Sequence, residues 1–329
     1  GFSQSNQSGQ NSESVAYPLS AFSVDCVHTM ESIKYLNRST GKVEVEHVYG
    51  EKWLKFTYNH FLGRFFLWFL AKRKVFSFWY GVSANTPKSK QKILPFIQKF
   101  KVDESEFLEP TSSFSTFNEF FYRRLKPSAR PIASSNAAAI FPADGRHFGF
   151  QNVSNIKSIF VKGQNFDLST LFGSKERALP YENGSLIISR LCPVDYHRFH
   201  FPCDGTLQTA DLINGKLFSV NPIALRKKIS IFWENKRYLS FLESESFGTV
   251  AQFAVGATCV GTVTYTGNKE TFVKKGDELG FFSFGGSCIL TLFEKDKILL
   301  NQDLIETSKN EIELYAKMGE EMGVSKNFV

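Results

Sequence analysis

The chain has 329 residues, of which 42% are hydrophobic and 22% are charged, a balance that suits a globular protein with a sizeable core. Its formal net charge of +7 favours an anionic partner, such as an acidic membrane, nucleic acid or an acidic substrate, without choosing among them. The five cysteines include no C-x-x-C pair, which argues against a disulfide framework and against a zinc site.

The first part of the chain divides into a polar leader and a helical region. Residues 1–37 are predicted to be a disordered leader, because their first half is rich in Ser, Asn and Gln. The leader shows neither a secretory nor an Arg-rich targeting pattern. Residues 38–130 are predicted to be largely helical and to associate with a membrane.

An aromatic segment at residues 53–80 carries the membrane prediction. Its apolar residues recur every three or four positions, and the segment contains a basic triplet at residues 72–74. The densest apolar run, residues 65–71, is too short to span a bilayer. Two interpretations remain open: a helix lying in the membrane interface, or an ordinary core helix.

Two further helices are predicted before residue 130. In "TPKSKQKILPFIQKF", Pro87 suits a first helical turn and Pro95 predicts a kink. In "STFNEFFYRRL", Thr116 and Glu119 have capping-box spacing. Phe117, Phe120, Phe121 and Leu125 would form one helix face.

From residue 131 onward the pattern changes to short strands, which predicts a β-rich catalytic domain over residues 131–329 and an α+β fold. Asn214-Gly215 is a strong hairpin signal in "TLQTADLINGKLFSV", and "VKKGDELGFF" predicts a tight turn between strands. The predicted strands are "GSLIISRL", "TLQTADLI", "KLFSV", "RYLSFLES", "GTVAQFAVGA", "CVGTVTYT" and "SCILTLFE".

Three places hold residues that could carry chemistry. His197 and His200 lie close together in "DYHRFHFPCDG", and Asp144 lies at a Gly-bounded turn in "FPADGRHFGF". Asp-Gly is a common turn dipeptide, so Asp144 by itself is a weak signal. Asp195, Arg198 and Asp204 flank the two histidines. No set of Cys, Asp or Glu completes a coordination sphere with them, so no metal is predicted.

Ser287 follows two glycines and opens an apolar strand in "FSFGGSCILTLFE". Asp144, His200 and Ser287 could form a nucleophile triad, although the G-x-S-x-G motif of many hydrolases is absent. Alternatively, the Ser287 hydroxyl could attack the carbonyl of Gly286 and break the chain, leaving a pyruvoyl group on Ser287. Both interpretations remain open at this point.

The chain resembles the phosphatidylserine decarboxylase proenzymes, in particular the longer type whose cleavage motif carries two glycines. The resemblance runs over most of residues 38–320. The stretches that carry it are "RSTGKVEVEHVYG", "FNEFFYRRLKPSARPI", "PADGR", "RLCPVDYHRFHFPCDG", "LFSVNP", "ENKRYLSFLE", "FGTVAQFAVGATCVGTV" and "VKKGDELGFFSFGGSCILTLFE".

This resemblance implies self-cleavage between Gly286 and Ser287 into a β chain, residues 1–286, and an α chain, residues 287–329. The pyruvoyl cofactor derived from Ser287 would form a Schiff base with phosphatidylserine, and loss of CO2 would give phosphatidylethanolamine. The core is expected to be akin to the flattened barrels of lipoyl and biotinyl carriers.

The resemblance also implies roles for individual residues. His200 matches the catalytic histidine, which would deprotonate Ser287 during maturation and later protonate the substrate carbon. Asp144 matches its partner, which would raise the basicity of His200 and fix its tautomer. His197 would position the substrate carboxylate or phosphate. Cys288 departs from the Thr or Ser usual after the cleavage serine, which puts the rate of processing in doubt.

The implied partner is phosphatidylserine in an anionic membrane, with the protein bound peripherally on the cytoplasmic side, at the cell membrane if bacterial. No nucleic acid is expected, and a homodimer is left open. The alternatives are a serine hydrolase using Asp144, His200 and Ser287, a lipoyl-like binding module, and a pyruvoyl-dependent decarboxylase of soluble amino acids.

Overall fold

The computed structural model describes residues 33–46, 83–158, 166–220, 222–225, 228–256, 263–284 and 287–328. These ranges contain sixteen strands: β1 Lys34–Asn37, β2 Lys42–Val45, β3 Ala138–Ile140, β4 Gly145–Phe150, β5 Ser185–Leu191, β6 Arg198–His200, β7 Gly205–Ile213, β8 Arg237–Ser244, β9 Gly248–Gly256, β10 Val263–Tyr265, β11 Phe272–Val273, β12 Glu278–Phe282, β13 Ser287–Phe293, β14 Ile298–Leu300, β15 Glu313–Ala316 and β16 Glu321–Ser325.

The helices in the same ranges are short. The α-helices are α1 Ile93–Phe100, α2 Phe117–Phe121, α3 Leu168–Phe172, α4 Lys175–Ala178, α5 Pro222–Leu225, α6 Ile231–Glu234 and α7 Gln302–Lys309. The 3₁₀ turns are Pro87–Lys92, Glu104–Glu106, Thr111–Ser113, Pro127–Ala129, Val153–Ser158, Leu179–Tyr181 and Lys326–Phe328. The predicted α+β class is therefore confirmed, with far more sheet than helix.

A ten-stranded sheet forms the centre, in the order β11-β7-β8-β9-β13-β5-β4-β15-β1-β2. Its neighbours pair antiparallel except for β1 and β15, which are parallel. Two three-stranded sheets, β10-β12-β6 and β14-β16-β3, complete the described strands. The central sheet is open, with edges at β11 and β2, so the expected likeness to a flattened barrel is not confirmed.

The strand β13 lies deep in this sheet, between β9 and β5. All seven of its residues are buried, because alternate side chains enter two different cores. Ile289 belongs to a core shared with the two small sheets and α7. Cys288 and Leu290 belong to the opposite core, which α3 to α6 cover. Packing therefore fixes the face of the sheet to which each β13 side chain points.

The described helices before residue 130 build a third core from phenylalanine rings. Phe96 of α1 packs edge-on against Phe117 and Phe120 of α2, with ring centroids 5.4 Å and 5.7 Å apart. Phe284 joins the same cluster, with its ring 4.9 Å from that of Phe121. Edge-to-face geometry of this kind adds to the gain from burial. The cluster thus attaches α2 to the chain just before Ser287.

The capping prediction for α2 is confirmed in part. The Thr116 hydroxyl accepts a hydrogen bond from the Glu119 N–H at 3.1 Å, but the Glu119 carboxylate binds the N–H of Ser115 rather than that of Thr116. The helix ends at Phe121, so Leu125 is not part of its face. In the preceding segment, the 3₁₀ turn Pro87–Lys92 is followed by α1, which begins at Ile93. Pro95 lies in the first turn of α1, where backbone N–H groups have no acceptor within the helix, so the proline removes no helical hydrogen bond.

Two sequence predictions are wrong. Asn214-Gly215 does not join a hairpin, because β7 pairs with β8 and Lys216 bridges to Asn235 in parallel. Residues 34–37 and 42–45 form two strands, although they fall in the predicted leader and helical region. The turn in "VKKGDELGFF" is present and uses Gly276 at φ +87°, but its flanking strands belong to different sheets.

Other predictions lie outside the described residues. These include most of the predicted leader and the whole aromatic segment at residues 53–80. The division into leader, helical region and catalytic domain therefore stays a prediction. Among the described helices, none combines the length and apolar character needed to cross a membrane.

Candidate active site

Ser287 occupies the first position of β13, where it pairs with Leu191 of β5 and Gly256 of β9. Its side chain is fully buried, and its hydroxyl oxygen has no hydrogen-bond partner among the described residues. Alternation along β13 places it on the same face as Ile289, opposite Cys288. The preceding Gly285 and Gly286 lie outside the described residues.

The approach to Ser287 is held by the phenylalanine cluster. The Phe284 N–H donates to the Asn118 side-chain oxygen at 2.7 Å, and the Asn118 amide in turn donates to Asn85 at 2.8 Å. Because Asn118 lies on α2 and is buried, this bond anchors the chain three residues before the predicted cleavage serine. Burial strengthens such a bond, since no water competes for it.

His197 precedes β6 and is fully buried. Its Nδ1 lies 3.0 Å from the Asp195 carbonyl oxygen. That oxygen can only accept a hydrogen bond, so the ring hydrogen is on Nδ1. Nε2 therefore carries the lone pair, and it has no partner among the described residues. The ring of Phe121 covers the imidazole at a centroid distance of 3.8 Å. Burial lowers the pKa of His197 to about 3, so the ring is a neutral base near pH 7.

His200 ends β6 and is also a neutral imidazole. Its Nδ1–H donates to the Gly276 carbonyl at 2.8 Å, and its Nε2 lies 3.3 Å from the Tyr196 hydroxyl. Burial lowers its pKa, while the Gly276 bond and the charges of Glu278 and Asp144 oppose that effect. The Gly276 carbonyl therefore sets the tautomer and leaves Nε2 as the acceptor.

Asp144 lies between β3 and β4, where Arg130 binds it through Nε at 2.8 Å and Nη2 at 2.6 Å. The Met318 N–H also donates to it at 2.9 Å. No described hydrogen bond joins Asp144 to His200. The expectation that Asp144 fixes the tautomer of His200 is therefore wrong in this structure; its charge acts on His200 only at longer range.

Asp144 lies near enough to His200 for its charge to act on that imidazole, but no described hydrogen bonds join Asp144, His200 and Ser287 into a chain. Among the described residues, Ser287 bonds to neither histidine. A hydrolase triad needs its nucleophile within hydrogen-bond reach of its base, although apo geometry is often loose. The arrangement instead presents a buried hydroxyl and a buried imidazole nitrogen, Nε2 of His197, that both lack partners.

Asp195 is a site residue that the sequence analysis treated only as a neighbour of the histidines. Both of its carboxylate oxygens accept from Nη1 of Arg146, at 2.8 Å and 2.6 Å, and one also accepts from the Cys192 N–H at 2.6 Å. Arg146 in turn lies over the rings of Tyr35 and Tyr315, 4.8 Å and 5.0 Å from their centroids. The ion pair between Arg146 and Asp195 thus fixes the loop that carries His197.

A second buried ion network adjoins the first. Arg190 binds Glu313 at 2.9 Å and 2.6 Å and also pairs with Glu46. Burial by itself would raise the pKa of Glu46, but the charge and hydrogen bonds of Arg190 lower it to about 2. Both acids are far from Arg190 in sequence, so no local pattern could have revealed these pairs.

Comparison with known proteins gives a consistent family. The family model described as phosphatidylserine decarboxylase matches residues 117–324. A phosphatidylserine decarboxylase proenzyme of Fusobacterium nucleatum subsp. nucleatum is 43% identical over 297 residues, which is 90% of this chain and 99% of the relative. Proenzymes of the same name from Clostridium novyi and Chlamydia pneumoniae are 43% and 40% identical, over 88% and 90% of this chain and 99% of each relative.

Proposed function

This chain belongs to the phosphatidylserine decarboxylase family, and from that premise we propose that it cleaves its own backbone between Gly286 and Ser287 to become active. The enzyme removes CO2 from phosphatidylserine and leaves phosphatidylethanolamine. The observation that carries the cleavage proposal is the Ser287 hydroxyl, which is buried at the start of β13 and has no partner in the described part of the chain. A buried hydroxyl without a hydrogen bond lowers the stability of the folded protein by about 1–3 kcal/mol. Such groups are rare in folded proteins and often have a reactive role.

The cleavage uses only groups of this chain and water. The Ser287 oxygen attacks the carbonyl carbon of Gly286, its proton passes to a base, and the amide nitrogen of Ser287 takes up a proton as the C–N bond breaks. The ester so formed eliminates: residue 287 loses its α-hydrogen, and the β chain departs as a carboxylate. The enamine that remains at residue 287 takes up a proton on its β-carbon and becomes an imine. Water then adds to the imine carbon, the nitrogen leaves as ammonia, and a ketone remains.

His200 is the proposed base, with Asp144 as its electrostatic partner. Its Nδ1–H is held by the Gly276 carbonyl, so Nε2 can accept a proton. The negative charge of Asp144 favours the protonated imidazole. His197 is proposed to face the substrate, since its Nε2 is unpartnered. These roles separate by experiment: His200→Gln should block cleavage, whereas His197→Gln should yield cleaved protein that decarboxylates slowly.

The surroundings of Ser287 fit a pyruvoyl group. The residue is enclosed between Leu191 and Gly256 on neighbouring strands, and its hydroxyl has no hydrogen bond to a described residue that conversion would break. When present, the group supplies a ketone that condenses with the substrate amine and withdraws electrons as CO2 leaves. The lone pair at Nε2 of His197 can accept a hydrogen bond from the substrate, and the ring of Phe121 covers that imidazole.

The decisive experiment is the intact mass of the purified protein under denaturing conditions. Self-cleavage predicts two chains divided between Gly286 and Ser287, the smaller one blocked to Edman sequencing. The Ser287→Ala variant should remain one chain, and Ser283→Ala, a matched serine four residues upstream, should be cleaved normally. A single intact parent chain, or cleavage of Ser287→Ala, would remove the mechanism.

Peripheral binding to an anionic membrane completes the proposal. It is supported by the net charge of +7 and by the aromatic segment with its basic triplet at residues 72–74. Because phosphatidylserine resides in bilayers, an enzyme acting on it must reach the headgroup at the surface. The cytoplasmic face is the proposed side.

A further inference from the structure

Arg123 is a buried arginine whose hydrogen-bonding capacity is almost unused. It is 5% exposed, yet of its five N–H donors only Nη1 has a described acceptor, the Phe120 carbonyl at 3.4 Å. Its Nε has none. By contrast, Arg130, Arg146 and Arg190 each bind a described carboxylate at 2.6 Å or less. No described acid lies within ion-pair distance of Arg123.

The position of Arg123 places it beside the candidate active site. It lies two residues after the end of α2. Its guanidinium lies over the rings of Phe107 and Phe120, 4.9 Å and 5.0 Å from their centroids. Phe121, two residues earlier, covers the His197 imidazole at 3.8 Å. Charge–ring contacts hold the guanidinium in place without using its donors.

A buried cation without an anion is costly, because neither water nor a carboxylate compensates its charge. Burial lowers the pKa of Arg123 to about 10, so the group stays charged at neutral pH. The charges of Asp144 and Asp195 act on it at longer range. The described residues therefore leave a charged, immobilised guanidinium without a carboxylate partner, close enough to His197 for its charge to act on that ring. This is the arrangement expected of an anion site.

We propose that Arg123 binds the phosphodiester of phosphatidylserine, an inference that rests on the proposed function. The planar fork of arginine matches a phosphate through two parallel N–H bonds. The headgroup carries a second anion, its carboxylate, but a cation bound there would stabilise the charge that must move away as CO2 leaves. That contact would favour the ground state over the transition state. The phosphodiester keeps its charge throughout and can be held without this penalty.

The test compares substrate and product, because phosphatidylethanolamine retains the phosphodiester and has lost the carboxylate. Parent enzyme, Arg123→Met and Arg123→Lys are assayed with short-chain phosphatidylserine, and binding of short-chain phosphatidylethanolamine is measured by calorimetry. Arg123→Met should raise KM and the product Kd by a similar factor, about 100-fold, with a smaller change in kcat. For Arg123→Lys, KM and the product Kd should lie between the values of the parent enzyme and those of Arg123→Met. Intact mass should show normal cleavage in each variant.

Arg124→Met is the matched control, since Arg124 is the neighbouring, exposed arginine and pairs with Glu109. It should leave KM and product binding unchanged. A raised KM with unchanged product Kd would assign Arg123 to the carboxylate and overturn the proposal. Unchanged values for both would make Arg123 purely structural, and overturn it as well.

Two further measurements keep the proposal independent of variant folding and of the proposed function. On the parent protein, a neutral methyl phosphotriester of phosphatidylethanolamine should bind about 100-fold more weakly than the diester; equal affinity would refute a phosphate contact. Product binding does not require turnover. Absence of CO2 release by the parent would therefore count against the decarboxylase assignment, whereas the binding data would still decide the role of Arg123.

Discussion

Replacing His147 with glutamine should change how the stability of this protein depends on pH. His147 lies in β4, fully buried, with Nδ1 2.9 Å from the Ser189 hydroxyl and Nε2 3.2 Å from the Ala316 carbonyl. Its Nε2–H donates to that carbonyl, and Nδ1 accepts from the hydroxyl. Burial lowers its pKa from 6.5 to about 3, so the folded protein keeps it neutral where the unfolded chain does not.

The sign and size of the effect follow from proton linkage. Below pH 6.5 the unfolded chain binds a proton at His147 that the folded protein refuses until about pH 3. The contribution of neutral His147 to the free energy of unfolding is therefore fully present above pH 6.5. It falls by about 1.4 kcal/mol for each pH unit below that value. At pH 5 the loss from this one histidine is about 2 kcal/mol, a large share of a typical total of about 5–15 kcal/mol.

The assay is urea unfolding at pH 7.5, 6 and 5, with His147→Gln compared with its parent. Both chains carry Ser287→Ala, because one uncleaved chain allows two-state analysis. Glutamine can still donate to Ala316 and accept from Ser189, but it cannot be protonated. The variant's deficit in free energy of unfolding should therefore shrink by about 2 kcal/mol from pH 7.5 to pH 5. A deficit that stays constant over this range would refute the argument.

Three other outcomes are expected. Cys288→Thr should leave the rate of self-cleavage unchanged, because residue 288 faces the core opposite Ser287; a several-fold change in a gel time course would show that this side chain reaches the bond. Arg146→Met should lower the free energy of unfolding by about 3–5 kcal/mol, since it strands the buried Asp195 carboxylate; a loss below about 1 kcal/mol would contradict the assigned pairing, and Arg146→Lys should lose less. Charge reversal of the triplet at residues 72–74 should weaken sedimentation with anionic vesicles, and unchanged binding would assign that segment to the core instead.

Local patterns of sequence were reliable where neighbours in the chain decide the structure. The apolar run after Ser287 is a buried strand, as its composition predicts, and Thr116 caps α2 as its spacing to Glu119 predicts. The hairpin prediction at Asn214-Gly215 was wrong, because β7 finds its partner in β8, beyond α5 and α6. A turn signal states that the chain can reverse there, not which strand it will meet.

The sequence by itself determined the family, the cleavage serine to propose, and the two histidines and the aspartate to examine, because each lies in a short motif readable without the fold. Only the tertiary structure decided their partners. Asp144 binds Arg130 rather than His200, Gly276 orients His200, and Arg123 pairs with no acid among the described residues. The physical reason is that hydrogen bonds and ion pairs depend on distances of a few ångströms. Chain segments far apart in sequence set those distances when they pack.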